Sequence, residues 1–162
     1  MLKRNCRGVA VLLAAVALLG EAASAATQTG TLAVQARVAS ACTVGTATLD
    51  FGTYVAGSTT LVDAPGTISY TGCYSSTVTI ELDLGLNAAS AKRNMKQGTS
   101  LLNYEIYQDS GRKTVFATGA DAKSITTDAT GAGSVPIYGR IFKSQGVAPG
   151  TYTDTVGIVL TF

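Results

Sequence analysis

Histidine and tryptophan are absent from this 162-residue chain, cysteine occurs three times, and charged residues make up only 14%. The missing histidine removes the commonest general base and the commonest transition-metal ligand, and three cysteines are too few for a structural zinc site. Few charges beside 46% hydrophobic residues argue against intrinsic disorder, which needs low apolar content and high net charge. No apolar run reaches the roughly 20 residues that cross a bilayer. No internal repeat, low-complexity tract or long linker divides the chain, so the sequence predicts one folded domain with a short appendage and excludes a multidomain enzyme.

The appendage is at the N-terminus. Lys3, Arg4 and Arg7 form a basic start, Val9 to Leu19 is an unbroken apolar run, and Ala23-Ser24-Ala25 is a small-x-small site. These are the three zones of a secretory signal peptide, which predicts residues 1–25 as the leader and cleavage between Ala25 and Ala26. Cleavage removes three basic residues and one acidic residue and leaves nine of each. A near-neutral mature chain has no clustered charge with which to seek nucleic acid, and Lys92, Arg93 and Lys96 read as a solvated loop. Cleavage also discards Cys6, leaving Cys42 and Cys73 in an oxidising compartment. Such an even pair reads as one disulfide, without the C-x-x-C spacing of a redox site.

Alternation runs through the mature chain, with no sustained helical spacing, and this is an all-β pattern. Leu32, Val34, Ala36 and Val38 alternate with Thr31, Ala33, Gln35 and Arg37; Val78, Ile80, Leu82 and Leu84 alternate with Thr77, Thr79, Glu81 and Asp83. Residues 101–107, 135–142 and 152–162 are further strand candidates, with shorter ones at 46–51, 67–73 and 114–117. Turn chemistry lies at Ala64-Pro65-Gly66, Asp109-Ser110-Gly111, Gly131-Ala132-Gly133 and Ala148-Pro149-Gly150. Short strands so punctuated predict a sandwich or Greek-key barrel. Residues 86–98 have helix-tolerant composition and read as a loop or a single turn.

Both ends are unusual for a sandwich. Val156, Ile158, Leu160 and Phe162 make an apolar row with no later strand to cover it. The alternating segment 30–38 begins five residues after the cleavage site. It is either the first strand of its own domain or a tail that supplies a strand to a neighbour; about ten residues at roughly 3.3 Å each reach on the order of 30 Å, the length of a whole strand.

A series of landmarks then runs in order along the mature chain: Ala41-Cys42-Thr43-Val44, Leu49-Asp50-Phe51-Gly52, Cys73, Arg93 and Leu102-Asn103-Tyr104-Glu105-Ile106-Tyr107-Gln108-Asp109. It continues with Val135-Pro136-Ile137-Tyr138-Gly139-Arg140 and Gly150-Thr151-Tyr152-Thr153-Asp154-Thr155-Val156, and closes on a terminal aromatic. This set resembles the spore coat protein U domain, shared with Csu-type subunits of archaic chaperone-usher pili. The resemblance implies an incomplete immunoglobulin-like Greek-key β-sandwich (residues 39–162) completed by a donor strand, with residues 26–38 as the donor-strand tail. It implies export through the periplasm to the cell surface. The implied partners are a periplasmic chaperone, an outer-membrane usher and neighbouring pilin subunits of the same or another kind. Carried onto this chain, Leu32, Val34, Ala36 and Val38 are the plugs, Ala36 being the smallest. The acceptor edge includes Val156, Ile158, Leu160 and Phe162, and the disulfide joins Cys42 to Cys73.

The implied function is a structural subunit of a pilus serving attachment and biofilm formation, with no cofactor and no catalysis; a single-domain chain fits a shaft subunit better than a tip adhesin. Alternatives are a spore or cell-surface coat component and a carbohydrate-binding adhesive module, for which Tyr54, Tyr70 and Tyr74 offer stacking faces but tryptophan is missing. Glu81 and Asp83, at i and i+2, are expected on one solvated strand face, and not as a glycosidase pair. Asp121 and Asp128 lack the spacing of a calcium loop. Tyr152 is expected to make a tyrosine corner, Asp154 to cap its own turn, and Arg93 and Arg140 to pair with Asp50, Asp83 or Glu105.

Overall fold

A computed structural model of the chain describes residues 26–39 and 41–162. The expected signal peptide, residues 1–25, with the Ala25 side of its expected cleavage site, lies outside the described residues. Residues 26–39 carry no strand, and all of them are exposed, so the reading of 30–38 as the first strand of its own domain is not realised.

From Cys42 onward the chain forms eight strands: β1 (Thr43–Val44), β2 (Val62–Thr71), β3 (Thr77–Leu82), β4 (Arg93–Gln97), β5 (Ser100–Tyr107), β6 (Lys123–Thr126), β7 (Gly133–Ile141) and β8 (Ile158–Thr161). A single 3₁₀ turn, Gly119–Asp121, precedes β6, and the described residues contain no α-helix. The strands make an antiparallel five-stranded sheet in the order β1-β2-β7-β5-β4 and a three-stranded sheet in the order β6-β3-β8. Period-2 alternation does the sorting, because successive side chains leave a strand on opposite faces. Val78, Ile80 and Leu82 of β3 meet Ile68 of β2, Ile106 of β5 and Val135, Ile137 and Ile141 of β7 in one core. Each such side chain stabilises the fold by about 1.5–3 kcal/mol through burial.

Several elements differ from the sequence reading. Pro65 and Gly66 are not a turn; they lie inside β2, opposite Tyr138 and Ile137. Proline is tolerated there because β1 pairs only with Tyr70 and Thr71, leaving that side of β2 free of a ladder. Residues 93–97 are strand β4, despite helix-tolerant composition. Pairing with β5 across the two-residue loop Gly98-Thr99, with Gly98 at φ 58°, overrides local propensity. β6 has no counterpart among the strands that alternation indicates. Conversely, residues 114–117 form only an isolated bridge, Val115 to Tyr107, residues 46–51 form no strand, and residues 152–162 shrink to β8.

Cys42 and Cys73 form a disulfide with Cα atoms 4.4 Å apart, tying the start of β1 to the end of β2. The buried Thr127 hydroxyl donates to the Cys73 carbonyl and accepts from the Ser76 N–H at 3.0 Å.

Candidate functional site

The site arises where the three-stranded sheet stops. β8 pairs with β3 along one side, Ile158 opposite Leu82 and Leu160 opposite Ile80, and no strand among the described residues pairs with its other side. Ile158 and Leu160 are half-buried against the core. Val159 and Thr161 face outward. Val156 precedes the strand and Phe162 follows it, so of the four residues in the C-terminal row only Ile158 and Leu160 lie in a regular edge strand.

The segment before β8 is fixed by polar side chains. Thr153 exchanges two backbone hydrogen bonds with Lys96 of β4, at 2.8 and 3.2 Å. The chain therefore crosses from the edge of one sheet to the edge of the other between Thr153 and Ile158. Asp83 receives the Gly157 and Gly85 N–H groups on one oxygen, both at 2.8 Å. Asp154 accepts from the backbone and side-chain nitrogens of Asn87, at 3.1 and 3.0 Å, and from the Tyr104 hydroxyl at 2.7 Å. It thus caps the 85–88 loop across the groove's wall instead of its own turn. Burial, and then the bond to Asp154, push the Tyr104 phenol far above the ordinary tyrosine range and keep it a neutral donor. The Tyr152 hydroxyl donates to the Ala148 carbonyl at 2.8 Å, the expected tyrosine corner.

Across from this wall, residues 46–51 leave β2 after one bond from Gly45 N–H to the Ser69 carbonyl at 2.8 Å. They keep alternating half-buried and exposed positions although no ladder holds them. Leu49 and Phe51 lie over Gly139 of β7, where a Cβ would stand 2.6 Å from either ring or methyl carbon. Phe51 also meets Tyr104 edge to face, with centroids 5.8 Å apart.

Between the walls lies a cavity of about 380 Å³ floored by Ile68, Leu82, Ile106 and Ile137. A second cavity of about 380 Å³ extends it toward Tyr54, Ala56 and Val147 to Thr151. The two share Leu49, Phe51, Met95 and Tyr152 as lining. The result is a groove with alternating apolar walls, open along the unpaired edge of β8. Asp154, the only carboxylate lining the first cavity, is already engaged by Tyr104 and Asn87, so the groove presents a largely apolar lining beside an edge strand with free backbone N–H and C=O groups.

A family model described as the spore coat protein U domain matches residues 28–159. The chain belongs to the spore coat protein U domain family. Protein U of Myxococcus xanthus is 36% identical over 175 residues, covering 95% of this chain and 96% of that protein. A solved structure, the CsuC-CsuE chaperone-tip adhesion subunit pre-assembly complex from archaic chaperone-usher Csu pili of Acinetobacter baumannii, matches with a TM-score of 0.57 at 22% identity. The match covers 77% of this chain and 40% of that one, so the chain spans about two-fifths of that length, and the likeness is one of immunoglobulin-like fold.

Other candidate residues are placed as follows. Leu32, Val34, Ala36 and Val38 are exposed on the strandless segment. Arg93 is fully buried, ion-paired with Glu105, and donates to the carbonyls of Leu82, Asp83 and Phe116. Arg140 pairs not with Asp50, Asp83 or Glu105 but with Asp63, at 2.8 and 2.9 Å, because β2 and β7 set them opposite each other. Glu81 is not free on a solvated face; it accepts the Gly119 N–H at 2.8 Å. Asp121 and Asp128 flank β6 at opposite ends and do not converge. Tyr54 is tied to Gln145 and Tyr70 lies over Gly133, leaving Tyr74 as the exposed ring of the three.

Proposed function

We propose that this chain is a non-catalytic structural subunit of an extracellular pilus, assembled by strand exchange. Its tail, residues 26–38, enters the groove of the next subunit with Leu32, Val34, Ala36 and Val38 as plugs. The observation that carries the reading is the groove beside the unpaired edge of β8 in a chain that also has an exposed, alternating, strandless segment. Three aliphatic plugs larger than alanine, each worth about 1.5–3 kcal/mol when buried, together with a ladder of backbone hydrogen bonds, supply ample driving force. The fold shared with a subunit solved beside its chaperone supports a periplasmic chaperone that fills the groove until assembly and an outer-membrane usher that delivers the subunit. Export requires residues 1–25 to act as the signal peptide, and attachment and biofilm formation are the roles such a fibre serves.

The test is a denaturing gel of surface protein, with and without boiling, for wild type and Val34→Arg. A ladder that collapses on boiling and is missing in the variant is the expected result. A heat-independent monomer in both would remove strand exchange. The family's description also supports a second reading, a spore or cell-surface coat layer built by the same exchange; electron microscopy of producing cells separates fibres from a continuous coat.

A further inference from the structure

We propose that the peptide bond between Arg37 and Val38 is a processing site for a trypsin-like endopeptidase, open in the free subunit and closed by assembly. Cutting there turns the subunit into one that accepts a tail but cannot donate one; this consequence rests on the strand-exchange reading above. Arg37 is the only charged residue among residues 26–39, and every residue of that segment is exposed and outside any strand. An endopeptidase takes its substrate as an extended strand, pairing with backbone N–H and C=O groups on both sides of the bond it cuts. Among the described residues, the backbone around Arg37 makes no hydrogen bond, so the segment can enter such a cleft without any unfolding of the domain. A cation just before the bond is what an S1 pocket with an acidic floor selects. The other cations of the mature chain are held differently. Arg93, Lys96, Lys123 and Arg140 lie within β4, β6 and β7. Lys92 exchanges two backbone bonds with Ala89, at 3.0 and 3.1 Å. The amides that follow Arg112 and Lys113 both donate to the Asp109 carboxylate, and the amide after Lys143 donates to the Ser58 carbonyl at 2.6 Å. Cutting at any of these requires local opening first.

Hydrolysis there consumes one water: the C–N bond breaks, Arg37 ends in a carboxylate and Val38 begins with a free amine. Leu32, Val34 and Ala36 leave with the released piece, and Val38 alone of the four plugs remains. Every residue lining the two cavities falls between Ala47 and Ile158, and the bridge from Cys42 to Cys73 also stays with the body. The trimmed subunit therefore keeps its groove. In the assembled state Ala36 and Val38 are seated as plugs and their backbone belongs to a ladder, which withdraws the bond between Arg37 and Val38 from a protease cleft. Cleavage thus acts on unassembled subunits, and a trimmed one that enters a fibre ends it.

Limiting trypsin tests the site on two forms of the exported chain: monomer refolded from guanidinium at high dilution, as wild type and Arg37→Gln, and polymer recovered from the cell surface. Mass spectrometry of the wild-type monomer is expected to show residues 38–162 as the first large product, formed at least roughly tenfold faster than from polymer, with Arg37→Gln monomer resisting like the polymer. A first cut at any other cation, or equal rates at Arg37 in monomer and polymer, overturns the proposal; an unboiled ladder in the same polymer leaves strand exchange standing. After the protease is inhibited, trimmed wild-type chain and intact Arg37→Gln chain are each offered a synthetic peptide of residues 26–38. The trimmed chain is expected to retain it on an unboiled gel. Retention by the intact chain but not by the trimmed one means that the groove needs its own tail, and the chain-ending role falls while strand exchange stands. Retention by neither removes strand exchange and the chain-ending role with it.

Discussion

Arg93 links the two sheets through one buried side chain. It leaves β4 of the larger sheet, is fully buried, and donates to carbonyls at the end of β3 and at Phe116 while pairing with Glu105. Removing one partner of a buried pair leaves the other uncompensated, so Arg93→Ala should lose about 3–5 kcal/mol in urea unfolding. Arg93→Lys should recover only part of that, because a point charge cannot replace a fork of donors. Tyr104 makes a separate, pH-dependent contribution. Its phenol titrates above the ordinary value of 10.0 because burial and the Asp154 carboxylate disfavour the phenolate. The stability it confers is complete below about pH 10 and is lost progressively as pH rises further, since the unfolded chain releases the proton first. Tyr104→Phe should therefore flatten the alkaline limb of the stability profile while costing about 1–2 kcal/mol at neutral pH, where Asp154 loses a donor; unfolding midpoints from pH 7 upward would check both effects.

At the scale of elements, the groove exists because two segments that alternate like strands lack a ladder between them. Residues 46–51 are held by packing over Gly139, where the absence of a Cβ admits Leu49 and Phe51. Gly139→Val should push that wall away, destabilise the fold by about 1–3 kcal/mol as overpacking does, and weaken strand capture; thermal melts and the unboiled ladder would read the two consequences separately. The strands whose alternation faces a core, residues 77–82, 100–107 and 133–141, were legible in sequence within one or two residues. β4 was not, because Met95, Lys96 and Gln97 carry helix-tolerant composition and only pairing with β5 makes them a strand. Pro65-Gly66 misled in the opposite sense. Turn chemistry there serves a strand whose second edge has no partner at that point.

For the whole molecule, the disulfide ties the root of the tail to the sandwich and closes a loop with a sequence separation of 31. On the chain-entropy model that closure stabilises by roughly 3.5–4 kcal/mol. Cys42→Ser with Cys73→Ser should lower the urea midpoint accordingly and reduce the yield of exported subunit. On the proposed strand exchange, the exposed tail residues Leu32, Val34, Ala36 and Val38 and the groove act in assembly. Val34→Arg should leave the unfolding midpoint of the isolated domain within about 0.5 kcal/mol of wild type, as an exposed surface change does, while abolishing the ladder. A fall in both would mean that the tail contributes to its own domain.

Composition and period were enough to indicate an all-β domain with a paired cysteine bridge, because hydrophobic alternation is a local property of the chain. The landmark motifs carried the family. Tertiary structure alone decided that β8 has an unpaired edge, that residues 46–51 face it without a ladder, and that Arg140 meets Asp63. Each of these depends on which distant strands come to lie side by side, and a period of two records the faces of a strand without recording its neighbours.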